Sequence, residues 1–122
     1  MSAQPEFLAQ VVTPGRVIAT DRLTAILHIT KSELAMATGL SRDAVTKRSR
    51  LATRSTRTRL RDTAEIINRV TGWSGSVGRA FAWFRSQPLV SFGDKTAEDL
   101  VKEGRTQAVK DYLSRIAEGG FA

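Results

Sequence analysis

The chain has 122 residues, of which 41% are hydrophobic, so it can form one domain, or two small ones that share a core. The absence of cysteine excludes disulfides and thiolate chemistry, and the sequence shows neither the roughly 20 apolar residues of a membrane span nor a signal peptide. We therefore expect a cytoplasmic protein with no membrane partner, and the net charge of +7 indicates an anionic partner.

Residues 1–19 contain several apolar side chains, but a Pro-Gly pair interrupts them. This N-terminal arm is compatible with a packed arm, a short strand, a dimerisation segment or a loose chain end. A first helix is predicted over residues 21–29, because Leu23, Ile26 and Leu27 lie at helical spacing.

Residues 31–50 predict two short helices joined by a turn. Thr30 and Glu33 have the spacing of a capping box at the start of the first helix, and Ser41 is a suitable cap for the second. Gly39 lies between the helices, where a residue that tolerates a positive φ is needed.

The same stretch fits a helix-turn-helix. Ala35 is the small residue where the two helices touch, Gly39 is in the turn, and Val45 is the apolar residue on the inner face of the second helix. Two positions depart from this pattern, because Thr38 and Arg48 stand where apolar residues are usual.

The second helix of the motif is the predicted DNA reader, because its N-terminal half enters the major groove in this fold. Base-edge contacts are expected from Ser41, Arg42, Asp43 and Thr46. Phosphate contacts are expected from Lys47, Arg50 and Arg54. Arg57 joins the set because an arginine at a helix N-terminus opposes the macrodipole unless an anion is bound. The predicted DNA-binding residues are Ser41, Arg42, Asp43, Thr46, Lys47, Arg50, Arg54 and Arg57.

The positive charge is concentrated in one segment. Residues 42–61 hold eight of the 19 basic residues and one of the 12 acidic residues, so the rest of the chain is neutral. A charge run is often only a solvated face. Its coincidence with the predicted helix-turn-helix favours DNA binding instead.

A long helix is predicted from residue 58 to about residue 71, with the apolar stripe Leu60, Thr63, Ala64, Ile66, Ile67, Val70 and Thr71. Three further helices are expected over residues 76–86, 96–104 and 106–118, with a loop at 87–95. The last helix is predicted to bury Val109, Tyr112, Leu113, Ile116 and Ala117. The fold class is therefore all-α, with about seven helices.

The second half resembles a known family. The ordered set that carries the resemblance is Pro88-Leu89, Phe92-Gly93-x-x-Thr96, Leu100, Gly104, Ala108-Val109, Leu113, Ile116 and Gly119-Gly120-Phe121. It is similar to the toxin-binding domain of Xre/ParS/MbcA-type antitoxins, and the first half is similar to the Xre-like region that precedes it there. One departure is Ala97, where family members usually have proline.

The resemblance covers roughly residues 20–122 and implies an Xre-like helix-turn-helix domain (20–72) and a toxin-binding domain (73–122), which follow the N-terminal arm (1–19). It implies an antitoxin of a type II toxin-antitoxin system whose partner is a RES-type toxin, an enzyme that degrades NAD or transfers ADP-ribose. The C-terminal end would occlude the toxin active site, and the complex would repress its own operon. The implied toxin-binding residues are Trp83, Leu89, Phe92, Gly93, Lys95, Gly119, Gly120, Phe121 and Ala122.

Several alternatives remain open on the residues alone. Trp83 and Phe92 are either core or interface aromatics, and the C-terminal end is either a plug or a frayed terminus. The protein is either this antitoxin or a stand-alone helix-turn-helix repressor, and either is expected to act as a homodimer on operator DNA. An enzyme is not expected, because no catalytic, metal-binding or cofactor-binding pattern is present.

Overall fold

The computed structural model describes residues 4–15 and 17–119, which are mostly helical and contain no β-strand. The all-α fold class is therefore confirmed. The described residues form nine α-helices: α1 Gln4–Val11, α2 Thr20–Leu27, α3 Lys31–Thr38, α4 Arg42–Thr46, α5 Arg48–Leu51, α6 Arg54–Ser74, α7 Val77–Ser86, α8 Ala97–Lys102 and α9 Thr106–Ala117. A 3₁₀ turn, Val90–Phe92, lies between α7 and α8.

Helix α6 is the longest element and lies at the centre of the fold. It packs against α1, α3, α5, α7 and α9. Every residue of its predicted apolar stripe is buried, including the two threonines. Thr63 and Thr71 fit there because their hydroxyls donate hydrogen bonds to the carbonyl groups of Arg59 and Ile67, one turn back.

The described part of the N-terminal arm begins with a packed helix, α1, rather than with a strand or a loose end. Phe7 and Val11 of α1 are buried against the core, and Ile18 joins them after the Pro-Gly turn. Val12 and Ile18 form a single isolated antiparallel bridge. The sequence left this open because the apolar residues of α1 span only two turns of helix.

The predicted helix starts are confirmed at four caps. The Thr30 hydroxyl accepts a hydrogen bond from the Glu33 amide at 3.0 Å, and the Glu33 carboxylate accepts one from the Thr30 amide at 2.9 Å. The hydroxyl groups of Ser41 and Ser76 cap α4 and α7 by each accepting one hydrogen bond from a backbone amide three residues on. Thr96 forms a second capping box with an acidic residue three positions on. Each cap is local chemistry, so sequence spacing was enough to predict it.

The predicted second helix of the motif does not extend to residue 50. Helix α4 ends at Thr46, Lys47 is extended with a ψ of 127°, and α5 begins one residue later. The Thr46 hydroxyl donates a hydrogen bond to the Arg42 carbonyl at 2.8 Å, a bond that tends to bend or weaken a helix. The basic residues that follow repel one another, which also disfavours a continuous helix.

Thr38 is fully buried although it is polar. Its hydroxyl donates hydrogen bonds to the carbonyl groups of Leu34 and Ala35, so no polar group is left unpaired. The departure at this position is therefore compatible with close packing. Arg48, the other departure, is exposed on α5 and does not disturb the core.

One apolar cluster extends through the described part of the chain, from Phe7 to Leu113. Helix α9 buries Val109, Tyr112 and Leu113 as predicted, with Ile116 partly buried against the same cluster. Ala117 is exposed, which corrects the prediction, because it borders an open cleft between α9 and α6 and is not in the core. The domain boundaries at residues 19/20 and 72/73 stay predictions.

Candidate nucleic-acid interface and aromatic surface

The basic segment, residues 42–61, forms α4, α5 and the first two turns of α6. Four of its bases make no side-chain hydrogen bond or ion pair with any described residue: Arg48, Arg50, Arg54 and Arg57. Exposed cations without partners are available to an external anion.

The predicted reading residues on α4 are mostly engaged within the protein. Arg42 donates a hydrogen bond to the Ser32 hydroxyl at 2.6 Å, and Asp43 pairs with Lys47 at 3.4 Å. The Ser41 hydroxyl accepts a hydrogen bond from the Ala44 amide. The side chains of Ser41, Arg42, Asp43 and Lys47 are all exposed. The structure therefore places these predicted residues together at the surface, on α4 and its two caps.

An arginine cleft lies at the start of α6. It has a volume of about 270 Å³ and is lined by Arg54, Arg57, Thr58 and Arg61. The Thr53 side chain does not cap α6, and no acidic residue lies in its first turn. Arg61 pairs with Glu65 one turn further on, at 3.1 Å. The predicted DNA-binding residues include Arg54 and Arg57 but not Arg61, although all three share one helical face at spacings of three and four.

Arg59 has a different role from its neighbours. It lies off the face that carries the arginine cleft, and its guanidinium donates a hydrogen bond to the Thr38 carbonyl at 2.7 Å. This carbonyl is at the C-terminal end of α3, where a positive charge is favourable. Arg59 therefore joins α6 to α3, and only part of the charge excess is free for a ligand.

A second group of charges fastens α6 to α9. Lys110 contacts Asp62 at 2.6 Å and Glu65 at 2.9 Å, and Thr106 donates a hydrogen bond to Asp62. Partial burial opposes the charge of Glu65, but hydrogen bonds from Lys110 and Arg61 outweigh it and lower its pKa. Burial likewise opposes the charge of Lys110, but its hydrogen bonds to the two carboxylates raise its pKa.

The predicted toxin-binding residues are divided between core and surface. Leu89 is 1% exposed and belongs to the core, so its side chain is not presented to a partner in this structure. Phe92 is half-buried, with its ring 6.1 Å from that of Tyr112 and covered by the guanidinium of Arg105 at 5.5 Å. Gly93 has a φ of 67° in an open turn, and Lys95 pairs with Glu103.

Trp83 is partly buried beneath a second tryptophan. The rings of Trp73 and Trp83 pack in a T-shaped arrangement with their centroids 5.7 Å apart, and Trp73 is itself 51% exposed. Trp73 also borders a cleft between α6 and α9, which Arg69 and Leu113 line as well. Gly119 follows α9 with a φ of 103°. Gly120, Phe121 and Ala122 lie outside the described residues.

The predicted site residues do not include the two most exposed large apolar side chains of the described residues. Val90 is 85% exposed in the 3₁₀ turn, next to the buried Leu89, and Met36 is 60% exposed on α3. The predicted toxin-binding residues include others from this loop but not Val90. A turn that buries one neighbour exposes the next, and sequence spacing in a loop does not show which.

The described residues contain no group of three histidine, cysteine or acidic side chains that could hold a metal ion. Over the same residues, no helix combines the length and apolar character that crossing a membrane requires. No protein-family model, curated protein or solved structure matches this chain.

Proposed function

We propose that this protein is an antitoxin that binds operator DNA through its basic segment and neutralises a RES-type toxin through its C-terminal half. The separation of charge supports this proposal most directly. The whole net charge of +7 comes from residues 42–61, and arginines that have no partner among the described residues lie at the surface there. The neutral remainder exposes Trp73 and Val90.

The DNA-binding part of the proposal draws on the arrangement of α3 and α4. Val45 and Ala35 are buried between these helices, and Gly39 has a φ of 71° in the turn. These features fit the helix-turn-helix that the sequence predicts. Ser41, Arg42, Asp43 and Thr46 would face the groove, and Lys47, Arg50, Arg54 and Arg57 would contact phosphates. A homodimer would place two such units on a two-fold operator.

The toxin-binding part draws on the sequence resemblance and on the exposed turn at residues 90–93. An apolar side chain as exposed as Val90 is a suitable anchor for a protein interface, because its burial removes apolar surface from water. Phe92, Gly93 and Lys95 lie in the same loop, and Trp83 lies on the preceding helix. The C-terminal residues 119–122 would complete the contact by occluding the toxin active site.

The first experiment is co-purification of this chain with the RES-type toxin from the adjacent gene, followed by NAD consumption by the toxin alone and in the complex. We expect the two to co-purify and NAD loss to stop. Deletion of residues 119–122 is expected to restore NAD loss and leave DNA binding intact. Full protection by the truncated chain would contradict the occlusion mechanism.

A matched pair of substitutions tests the loop. Val90→Asp is expected to weaken toxin binding at least tenfold, because the charge would have to be desolvated at the interface. Ser91→Asp introduces the same charge at the next exposed position and is expected to have a smaller effect. Equal effects of the two variants would show that the charge itself, not the loss of Val90, weakens binding.

The stand-alone repressor is the second candidate, and the same basic segment favours it. It predicts tight operator binding by the chain alone and no effect of the toxin. Failure of co-purification together with operator binding that weakens steeply as salt rises would favour the repressor over the antitoxin.

A further inference from the structure

We propose that the arginine cleft on α6, rather than the short helix α4, provides most of the affinity for duplex DNA, by binding backbone phosphates without regard to base sequence. This inference rests on the proposed DNA binding and concerns how that binding is divided between the two helices. Three observations carry it: the geometry of the cleft, the absence of described partners for Arg54 and Arg57, and the internal bonds of α4.

The dimensions of the cleft fit one strand of a duplex. Arg54 and Arg61 are seven residues apart on α6, which is about 10 Å of helix rise. One strand of B-form DNA advances about 3.4 Å per nucleotide along the duplex axis. The row of three arginines is therefore about as long as three nucleotide steps, and it can reach successive phosphates from one face of the helix.

The chemistry of the cleft favours phosphate over other ligands. Its lining is three guanidinium groups and the Thr58 side chain, all of which can donate hydrogen bonds to phosphate oxygens. Arg54 and Arg57 have no partner among the described residues, so binding an anion would not break an existing contact. Arg61 would share its charge between a phosphate and Glu65.

Helix α4 is less suited to carry the affinity or the sequence reading. It has five residues, fewer than two turns. Arg42 is held by Ser32, Asp43 is paired with Lys47, and the Thr46 hydroxyl is bonded to a backbone carbonyl. Base contacts from these side chains would have to replace bonds that the free protein already makes, which reduces the gain in free energy.

The test compares two duplexes and a set of single-charge variants. One labelled duplex carries the sequence that precedes the coding region, and the other is a scrambled duplex of the same composition. Binding to each is measured by fluorescence anisotropy between about 50 and 200 mM salt. The variants are Arg54→Gln, Arg57→Gln, their double variant, and Arg42→Gln on α4. Arg79→Gln is the matched control, because Arg79 is exposed on α7, outside the basic segment.

We expect each cleft substitution to reduce the slope of log K against log salt by about 1, and to weaken both duplexes by the same factor. The double variant is expected to lose affinity about 100-fold at the lower salt concentration. Arg42→Gln is expected to change affinity less than either cleft variant, and Arg79→Gln to change it little. Arg54 and Arg57 are exposed and make no side-chain hydrogen bond or ion pair with a described residue, so these variants are expected to fold as the wild type does.

Three results would overturn the inference, and they are distinguishable from failure of the proposed function. If the wild type binds DNA and the double variant binds equally well, the cleft is not the phosphate site. If the double variant changes the ratio between the two duplexes, the cleft reads sequence. If Arg42→Gln loses more affinity than the double variant does, α4 rather than the cleft provides most of the affinity. No binding of the wild type to either duplex would remove the DNA-binding function itself, and this inference with it.

Discussion

Gly39 meets two separate requirements, a positive φ and a close contact with the backbone of Lys102. Its φ of 71° is unfavourable for residues with a Cβ. A Cβ built there would also lie 3.0 Å from the Cα of Lys102 and 3.2 Å from its carbonyl oxygen. The sequence predicted the positive φ, because the turn requires it. It did not predict the contact, because Lys102 is 63 positions away in the chain.

We expect Gly39→Ala to lower the free energy of unfolding by about 2–4 kcal/mol, since backbone strain of about 1–3 kcal/mol is added to a clash with backbone atoms that cannot rotate away. Urea unfolding followed by circular dichroism measures this. Gly78→Ala is the matched control. Gly78 lies within α7 with no heavy atom near the position of a Cβ, so alanine there is expected to raise stability by up to about 1 kcal/mol. Equal losses in the two variants would refute the assignment of a special role to Gly39.

At the scale of the element, the helices were predictable where their signals are local. Capping residues and apolar stripes placed the starts of four helices and the buried face of α6. The break at Lys47 was not predictable, because nothing in that stretch is a strong helix breaker. Which arginines of α6 face solvent also depends on the tertiary position of α3, so the sequence did not show that Arg59, one of the bases of the basic segment, bonds to α3.

The two faces of α6 predict effects of different size for the same substitution. Arg59→Met removes the hydrogen bond to the Thr38 carbonyl and is expected to lower the free energy of unfolding by about 1–3 kcal/mol. Arg57→Met removes the same charge from the exposed face and is expected to leave stability within about 0.5 kcal/mol. Thermal and urea unfolding of both variants measure the difference. A stable Arg59→Met protein would show that α3 and α6 are held by apolar packing alone.

The cluster between α6 and α9 predicts a pH dependence of stability. The folded chain lowers the pKa of Glu65 below its ordinary value of 4.5, so the stability it contributes is present above that pH and is lost as the pH falls through the folded pKa. The raised pKa of Lys110 contributes stability at every lower pH, which is lost only as the pH rises through a value above 10.5. Acidification from neutral pH therefore acts on the carboxylates.

We expect Lys110→Met to reduce the loss of stability between pH 7 and pH 3, measured by urea unfolding at each pH. Some acid sensitivity is expected to remain. The Thr96 backbone amide lowers the pKa of Asp99, and a hydrogen bond from Lys95 lowers that of Glu103, and neither depends on Lys110. An unchanged pH profile in Lys110→Met would mean that Glu65 keeps its low pKa through Arg61 alone.

At the scale of the whole molecule, α6 belongs to both halves of the sequence. It packs on α1, α3 and α5, which precede it in the chain, and on α7 and α9, which follow it. We therefore expect one cooperative unfolding transition, with the same midpoint for tryptophan fluorescence, which reports on the aromatic half, and for circular dichroism, which reports on all helices. Two separate midpoints would show that the halves fold independently, as the predicted boundary at residues 72/73 allows.

The candidate surfaces were predictable in outline but not in detail. Charge segregation is a property of the sequence, so the basic segment was visible without a structure. The positions of Leu89 and Val90 were not, because a loop has no period that separates its buried from its exposed side chains. The arginine cleft needed the structure as well, since it depends on which bases have partners.

Because α6 belongs to both halves of the sequence, it also affects how long the protein would survive in a cell. Where degradation requires unfolding, a ligand that binds only the folded chain slows it, because it reduces the unfolded population that a protease can cleave. At 100 times its dissociation constant such a ligand adds about 2.7 kcal/mol, which is about a 100-fold reduction. If the chain unfolds as one unit, DNA on the basic segment protects residues 73–119 as well. An operator would then prolong the lifetime of the toxin-binding half without contacting it.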